Sequence, residues 1–255
     1  MLHRSMSLIG ALAVVTLTAA QADAASAVPA AITAAVADAS RPDTDKQRDA
    51  DRKPAESIAF AGVKSGDHVA ELMPGGGYFT RILSKVVGDK GVVYALVPPP
   101  RPNAPAGAPA PGAAAEAIAA DHKNVRVITG PLTQPTVPEP VDVVWTSQNY
   151  HDFHNVPNSD IKTFNSMVFS ALKPGGTFIV IDHAAAPGSG ANDTQALHRI
   201  DPETVKAEVT AVGFKLAGES DLLHNASDPH TANVHDAAIR GKTDQFVLKF
   251  TKPKK

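Results

Sequence analysis

The chain has no cysteine in its 255 residues, which excludes disulfides, cysteine-ligated metal sites and a lipid-bearing N-terminal cysteine. Aromatic residues make up only 5% of it, too few for the stacking platform that single-stranded nucleic acid needs. Charge of either sign barely dominates: 24 Lys and Arg face 26 Asp and Glu, a formal net of −2. Neither nucleic acid nor an anionic membrane surface is therefore expected as a partner. A membrane-length apolar run is also missing. The stretch Leu8 to Leu17 is too short to span a bilayer. It follows His3 and Arg4 and precedes small residues at Ala22-Asp23-Ala24 and Ala25-Ser26-Ala27. That order predicts a cleaved export signal over residues 1–24, a periplasmic or secreted product, and no membrane anchor after cleavage.

What is present suits one α/β domain. A hydrophobic content of 43% can fill one substantial core. Residues 25–52 read as an N-terminal arm, helical or disordered: Val28 to Ser40 is alanine-rich, and Asp43 to Lys53 is so charged that it should be solvated. Residues 53–255 read as the domain. A helix from Lys53 to Phe60 leads into strands at His68–Leu72, Gly91–Val97, Val125–Thr129, Val141–Thr146, Thr177–Asp182, Phe214–Glu219 and Gln245–Phe250. Helices intervene at Ala113–Ala120, Ser159–Leu172 and Pro202–Val212. Alternation of this kind implies a mostly parallel sheet covered on both faces. The segment Pro98 to Gly112 holds seven prolines. It can join neither helix nor sheet, and reads either as an inert insertion or as one wall of a ligand cleft.

The most informative stretch is Val69 to Thr80, Val-Ala-Glu-Leu-Met-Pro-Gly-Gly-Gly-Tyr-Phe-Thr. An apolar strand ends on an acid, Glu71, and runs through Gly75, Gly76 and Gly77 into a helix. Glycines there let a ligand approach the backbone, and the helix start offers free N–H groups. The acid suits the hydroxyls or amine of a nucleoside-like cofactor better than a phosphate.

These elements resemble the class I S-adenosylmethionine-dependent methyltransferases, and more narrowly the exported bacterial group of predicted methyltransferases. The resemblance runs from about Lys53 to Lys252. It is carried by Glu71 to Gly77, by the turn Leu172-Lys173-Pro174-Gly175-Gly176-Thr177-Phe178 before the fifth strand, and by the terminal strand Gln245–Phe250. It implies a Rossmann-like fold with a seven-stranded, mostly parallel sheet, an antiparallel last strand, and helices on both faces. It also implies S-adenosylmethionine as cofactor. Glu71, Gly75, Gly76, Gly77 and Tyr78 would line its methionine end, with Ser147 and Asn149 near the sulfonium. Two positions depart from the pattern. Met73 replaces the first glycine, and the second strand ends at Val97 where the family has an acid for the ribose hydroxyls.

Histidines and acids gather after the fourth and fifth strands, in Tyr150-His151-Asp152-Phe153-His154 and Asp182-His183, with His198 further on. Three readings stand. Tyr150, His151 or Asp152 orients or deprotonates a methyl acceptor; the cluster binds zinc or copper; or the groups cap neighbouring elements. The prediction is methyl transfer to a small-molecule or peptide nucleophile, with Tyr150, His151 and Asp152 catalytic and no metal assigned. The alternative is an exported, non-catalytic protein that keeps the fold and binds a small molecule or a metal. The insertion Asp221 to Lys242 reads as a surface loop, or as a substrate flap carrying Arg240.

Overall fold

A computed structural model of the chain describes residues 27–100, 105 and 107–254. The export-signal reading (residues 1–24) and Asn103 of the proline-rich segment lie outside the described residues.

Seven strands form one sheet: β1 (His68–Leu72), β2 (Val92–Val97), β3 (Val125–Thr129), β4 (Val141–Ser147), β5 (Leu172–His183), β6 (Lys215–Ser220) and β7 (Gln245–Thr251). Their spatial order is β3-β2-β1-β4-β5-β7-β6. The first five run parallel, while β7 is antiparallel to both β5 and β6. Side-chain alternation sends each strand into two cores. Val69, Val143, Trp145, Ile179 and Ile181 pack on one face with α4 (Pro54–Ala61), α5 (Tyr78–Val87) and α6 (Ala113–Asp121). Ala70, Leu72, Val144, Phe178 and Val180 pack on the other with α7 (Tyr150–His154), α8 (Ile161–Ala171) and α9 (Pro202–Thr210).

Local chemistry sets several boundaries. Asp160 caps α8 by accepting from the backbone N–H groups of Lys162 and Thr163, and Asp201 caps α9 through Glu203 N–H. Pro202 sits at the first position of α9, where its missing N–H costs nothing. β5 begins at Leu172 rather than Thr177, because the Pro174-Gly175-Gly176 turn already ladders on its neighbours: Gly175 N–H donates to Lys252 O and Lys252 N–H to Gly176 O.

The arm takes the helical one of its two readings, while its charged stretch is only partly solvated. It forms α1 (Ala30–Val36), α2 (Asp43–Lys46) and α3 (Asp49–Arg52) and docks on the domain. Ile32 and Ala35 are buried in the same core as Phe79 and Leu83. Several charges of the 43–52 stretch find partners, while Asp43, Arg48 and Asp51 stay exposed. Arg41 grips Asp49 through two bonds of 2.7 and 2.8 Å, and Arg81 reaches Asp45 at 2.8 Å. Pairing replaces the hydration these groups lose, which lets so polar a segment lie on the protein.

Candidate active site

The carboxyl ends of β1, β4 and β5 meet on one rim, where parallel sheets of this order present ligands. Backbone strain is concentrated there. Met73, Gln148 and His198 hold left-handed φ values of 51°, 63° and 55°, each costing roughly 1–2 kcal/mol for a residue with a side chain. Met73 thus keeps the conformation that glycine would take at this place, and the turn forms despite the substitution.

At the end of β1, Glu71 is buried and accepts a 2.6 Å bond from the Thr80 hydroxyl, one turn into α5. Burial pushes its carboxyl up to about 7, against the opposing pull of the Arg52 and Arg81 charges. Above Glu71 the glycine turn is open. A Cβ built on Gly75 or Gly76 would meet no atom within 4 Å, whereas one on Gly77 would strike Ile118 Cδ1 at 2.0 Å. Gly77 is needed for packing, while Gly75 and Gly76 leave backbone accessible to a ligand.

Arg52, from the arm, reaches across this opening. Its guanidinium donates to Ser147 Oγ and Gln148 Oε1, both at 3.1 Å, and lies 4.5 Å from the centre of the Tyr78 ring. Burial lowers it to about 10, which leaves it cationic at neutral pH. Tyr78 in turn donates to Asp49 at 2.6 Å, tying the arm to the start of α5. The signal for Arg52 was hidden in a stretch that composition read as solvated. Asn149 is placed differently from Ser147. It is buried, accepts from the Thr146 hydroxyl, and donates to the carbonyls of Leu72 (3.2 Å) and Met73 (3.1 Å). It clips β4 to β1 beneath the glycine turn.

The second half of the rim is apolar. A crevice lined by Leu72, Leu96, Val97, Ile128 and Phe153 is closed over by the segment 130–136, which follows β3. It offers about 10 Å³, the room of one water. Gln134 and Thr136 supply its side-chain polar groups. The described part of Pro98–Gly112 does not line it, so the wall expected from the prolines is built by residues 130–136 instead.

Helix α7 divides the sequence cluster. Residues four apart share a helix face and neighbours diverge by about 100°. Tyr150 and His154 accordingly turn the same way, both to Glu208 of α9, at 3.0 and 3.2 Å. Tyr150 is wholly buried and also accepts from Asn165 at 2.8 Å. It does not join His151 and Asp152 on the rim. His151 turns the other way. Its Nδ1 lies 2.9 Å from Asp182 Oδ1, and its backbone N–H donates to Asp182 Oδ2 at 2.8 Å. The Asp182 carboxyl, wholly buried, would rise from desolvation, but the His151 charge and bonds hold it below the usual range. Burial works against a charged His151, yet the Asp182 and Asp152 charges raise it above the ordinary value.

The outer edge of His151 faces two further groups. Its Nε2 is 3.3 Å from His198 Nδ1 and 3.4 Å from Asp152 Oδ1. His198 arrives on the loop before α9. That loop is pinned by the Ala184–Ile200 bridge and by buried Arg199, which is paired with Asp228 at 2.8 and 3.0 Å. His183 packs beside His151, ring centres 6.2 Å apart, and its backbone N–H donates to Asp182 Oδ1 at 2.8 Å; burial drops its ring to about 4, and its Nδ1 contacts the Thr243 hydroxyl at 2.7 Å. The 221–242 insertion packs beside the cluster, with Asn233 donating to Ala196 O at 2.7 Å and the His235 ring 4.8 Å from that of His198. Arg240 is exposed.

No protein-family model matches the sequence, and no curated protein sequence matches it. Solved structures do. A SAM-dependent methyltransferase from Aquifex aeolicus matches with a TM-score of 0.55 at 18% identity, over 83% of this chain and 98% of its own. An arsenic(III) S-adenosylmethionine methyltransferase from Chlamydomonas reinhardtii gives 0.54 at 19% identity, over 89% of this chain and 74% of its own. Together with the strand order, these likenesses give the chain the Rossmann-like fold of class I methyltransferases. At such identities they assign the fold and leave the chemistry to the site.

Proposed function

We propose that the chain is an S-adenosylmethionine-dependent methyltransferase acting on a small-molecule or peptide nucleophile in an exported compartment. The observation that carries this reading is the buried Glu71 carboxylate beneath an open Gly75-Gly76 turn. A carboxyl raised to about 7 by burial gains most from a cationic neighbour, and both the amine and the sulfonium of this cofactor are cations. The methionine half of the cofactor fits the residues present. Glu71 would face its cationic groups, Gly75 and Gly76 would offer backbone, and Arg52 with Ser147 would meet its carboxylate. Tyr78 would complete the wall, and Gly77 and Asn149 would hold the turn in shape. At the ribose half Val97 offers no acid, so the hydroxyls would fall to Gln134, Thr136 and backbone groups of the segment that must swing aside.

Bound there, the cofactor supplies a methyl group on a good leaving group. This chain's share is then positioning and proton removal. His151, steadied by Asp182 through Nδ1, would take the acceptor's proton at Nε2, and Asp152 would help to orient the acceptor.

Calorimetric titration of the mature chain with S-adenosylmethionine and with its demethylated product tests the reading. Saturable one-to-one binding, lost in Gly76→Ala, supports it. Absence of binding at millimolar ligand removes it, and would leave the second reading, a binding protein on the same fold, which Val97 and the narrow crevice favour. Sequencing the N-terminus of the protein from its source cell tests the export signal.

A further inference from the structure

His151, Asp152 and His198 bring one ligand atom each close together, and the three separations are 3.3, 3.4 and 3.7 Å. In a tetrahedral complex two ligand atoms lie about 1.63 times the metal–ligand distance apart, so zinc with bonds near 2.1 Å needs edges of about 3.4 Å. An octahedral cation has edges of about 1.41 times its bond length, so these separations would demand bonds of about 2.3–2.6 Å, longer than magnesium forms. Calcium has such bond lengths but prefers oxygen donors. The donor set, two imidazoles and one carboxylate, points the same way.

The surroundings are built for this. Asp182, wholly buried, accepts from His151 at Nδ1 and so leaves Nε2 with its lone pair outward, the arrangement that orients zinc-binding histidines. His198 is held at a left-handed φ of 55° by a loop that the Ala184–Ile200 bridge and the Arg199–Asp228 pair fix to the end of β5. Strain maintained by so rigid a frame is a feature of functional positions.

We propose that His151 Nε2, His198 Nδ1 and Asp152 Oδ1 form a tetrahedral site for Zn²⁺, with Asp182 as its outer support. Three protein ligands leave one position for water or for an oxygen or nitrogen of a substrate, as in catalytic zinc sites. The His235 ring stands 4.8 Å from that of His198. The site owes nothing to the cofactor reading, since none of its ligands belongs to the glycine turn. If both hold, a bound ion would lower the acceptor's pKa by Lewis acidity, and the acceptor's proton would pass to solvent water because His151 Nε2 would be occupied.

The test is titration of the chelator-stripped full chain with Zn²⁺ in competition with a chromophoric chelator, together with the visible spectrum of the Co²⁺ form. The expected result is one equivalent bound with a dissociation constant below about 1 µM and the intense visible bands of tetrahedral cobalt. His198→Gly, which suits the left-handed backbone and should keep its circular dichroism, is expected to weaken binding at least 100-fold. Asp152→Ala should do the same, and Asp182→Asn should cost about 10- to 100-fold. His224→Ala, in the separate His224–Asp244–His230 group, should change nothing. Binding weaker than about 100 µM, a weak octahedral cobalt spectrum, affinity unmoved by His198→Gly and Asp152→Ala, or loss in His224→Ala would each overturn the proposal.

Discussion

Glu71→Gln should flatten the dependence of stability on pH. In the unfolded chain the Glu71 carboxyl titrates near 4.5, and burial raises it to about 7 in the folded state. Between those values the unfolded chain gives up a proton that the folded protein keeps. Stability contributed by the protonated group is thus fully present below pH 4.5 and falls as pH rises toward 7. Above 7 both states are ionised and the loss is complete. Integrating the two titrations from pH 5 to pH 8 gives a loss of roughly 2–3 kcal/mol. Glutamine has no proton to give, so the variant should lose that slope. It can still accept the Thr80 hydroxyl, which leaves the α5 contact intact. Urea unfolding at pH 5, 6, 7 and 8 provides the assay, read as the difference in slope between the two proteins rather than as either absolute stability. Parallel curves would refute the buried, elevated carboxyl. The same logic predicts that a cationic ligand beside Glu71 expels its proton, so cofactor affinity should climb roughly 25-fold from pH 5.5 to 7.5 in the natural protein and stay level in the variant.

Three other substitutions separate packing from binding. Gly76→Ala meets no atom within 4 Å and should leave the melting temperature within about 2 °C while abolishing cofactor binding. Gly77→Ala combines a φ of 78° with Ile118 Cδ1 2.0 Å away and should cost about 2–3 kcal/mol in urea unfolding. Equal melting temperatures for the two would contradict the described turn. Tyr150→Phe removes the bonds to Glu208 and Asn165 and should lose about 1–3 kcal/mol of stability with cofactor affinity unchanged. A collapse of affinity in calorimetry would return Tyr150 to the rim. Arg52→Ala should weaken cofactor binding about tenfold, or 1.4 kcal/mol, and speed amide exchange over residues 43–52. Faster exchange with unchanged affinity would mean that Arg52 only ties the arm down.

The order of strands and helices was legible because its signals are local. Apolar runs of strand length, Pro202, and the glycine turn after Glu71 each act within about four residues, the range that periodicity and local turn rules cover. The apolar run of β2 suits a buried parallel strand, while the antiparallel course of β7 was implied by the family resemblance and not by its own sequence. The site was decided elsewhere. Tyr150 and His151 are neighbours in sequence, yet one bonds Glu208 and the other Asp182, because a helical step turns adjacent side chains to different faces. His198 lies 47 residues from the His151 it meets, and Arg52 lies 95 from Ser147. Both are brought in by a bridge on β5 and by the docking of the arm. The crevice wall includes residues 130–136, and the described residues of Pro98–Gly112 do not line it. Local preference says what each segment becomes. Which faces then meet is chosen by burial and charge pairing across the whole molecule, and only the folded chain makes that choice.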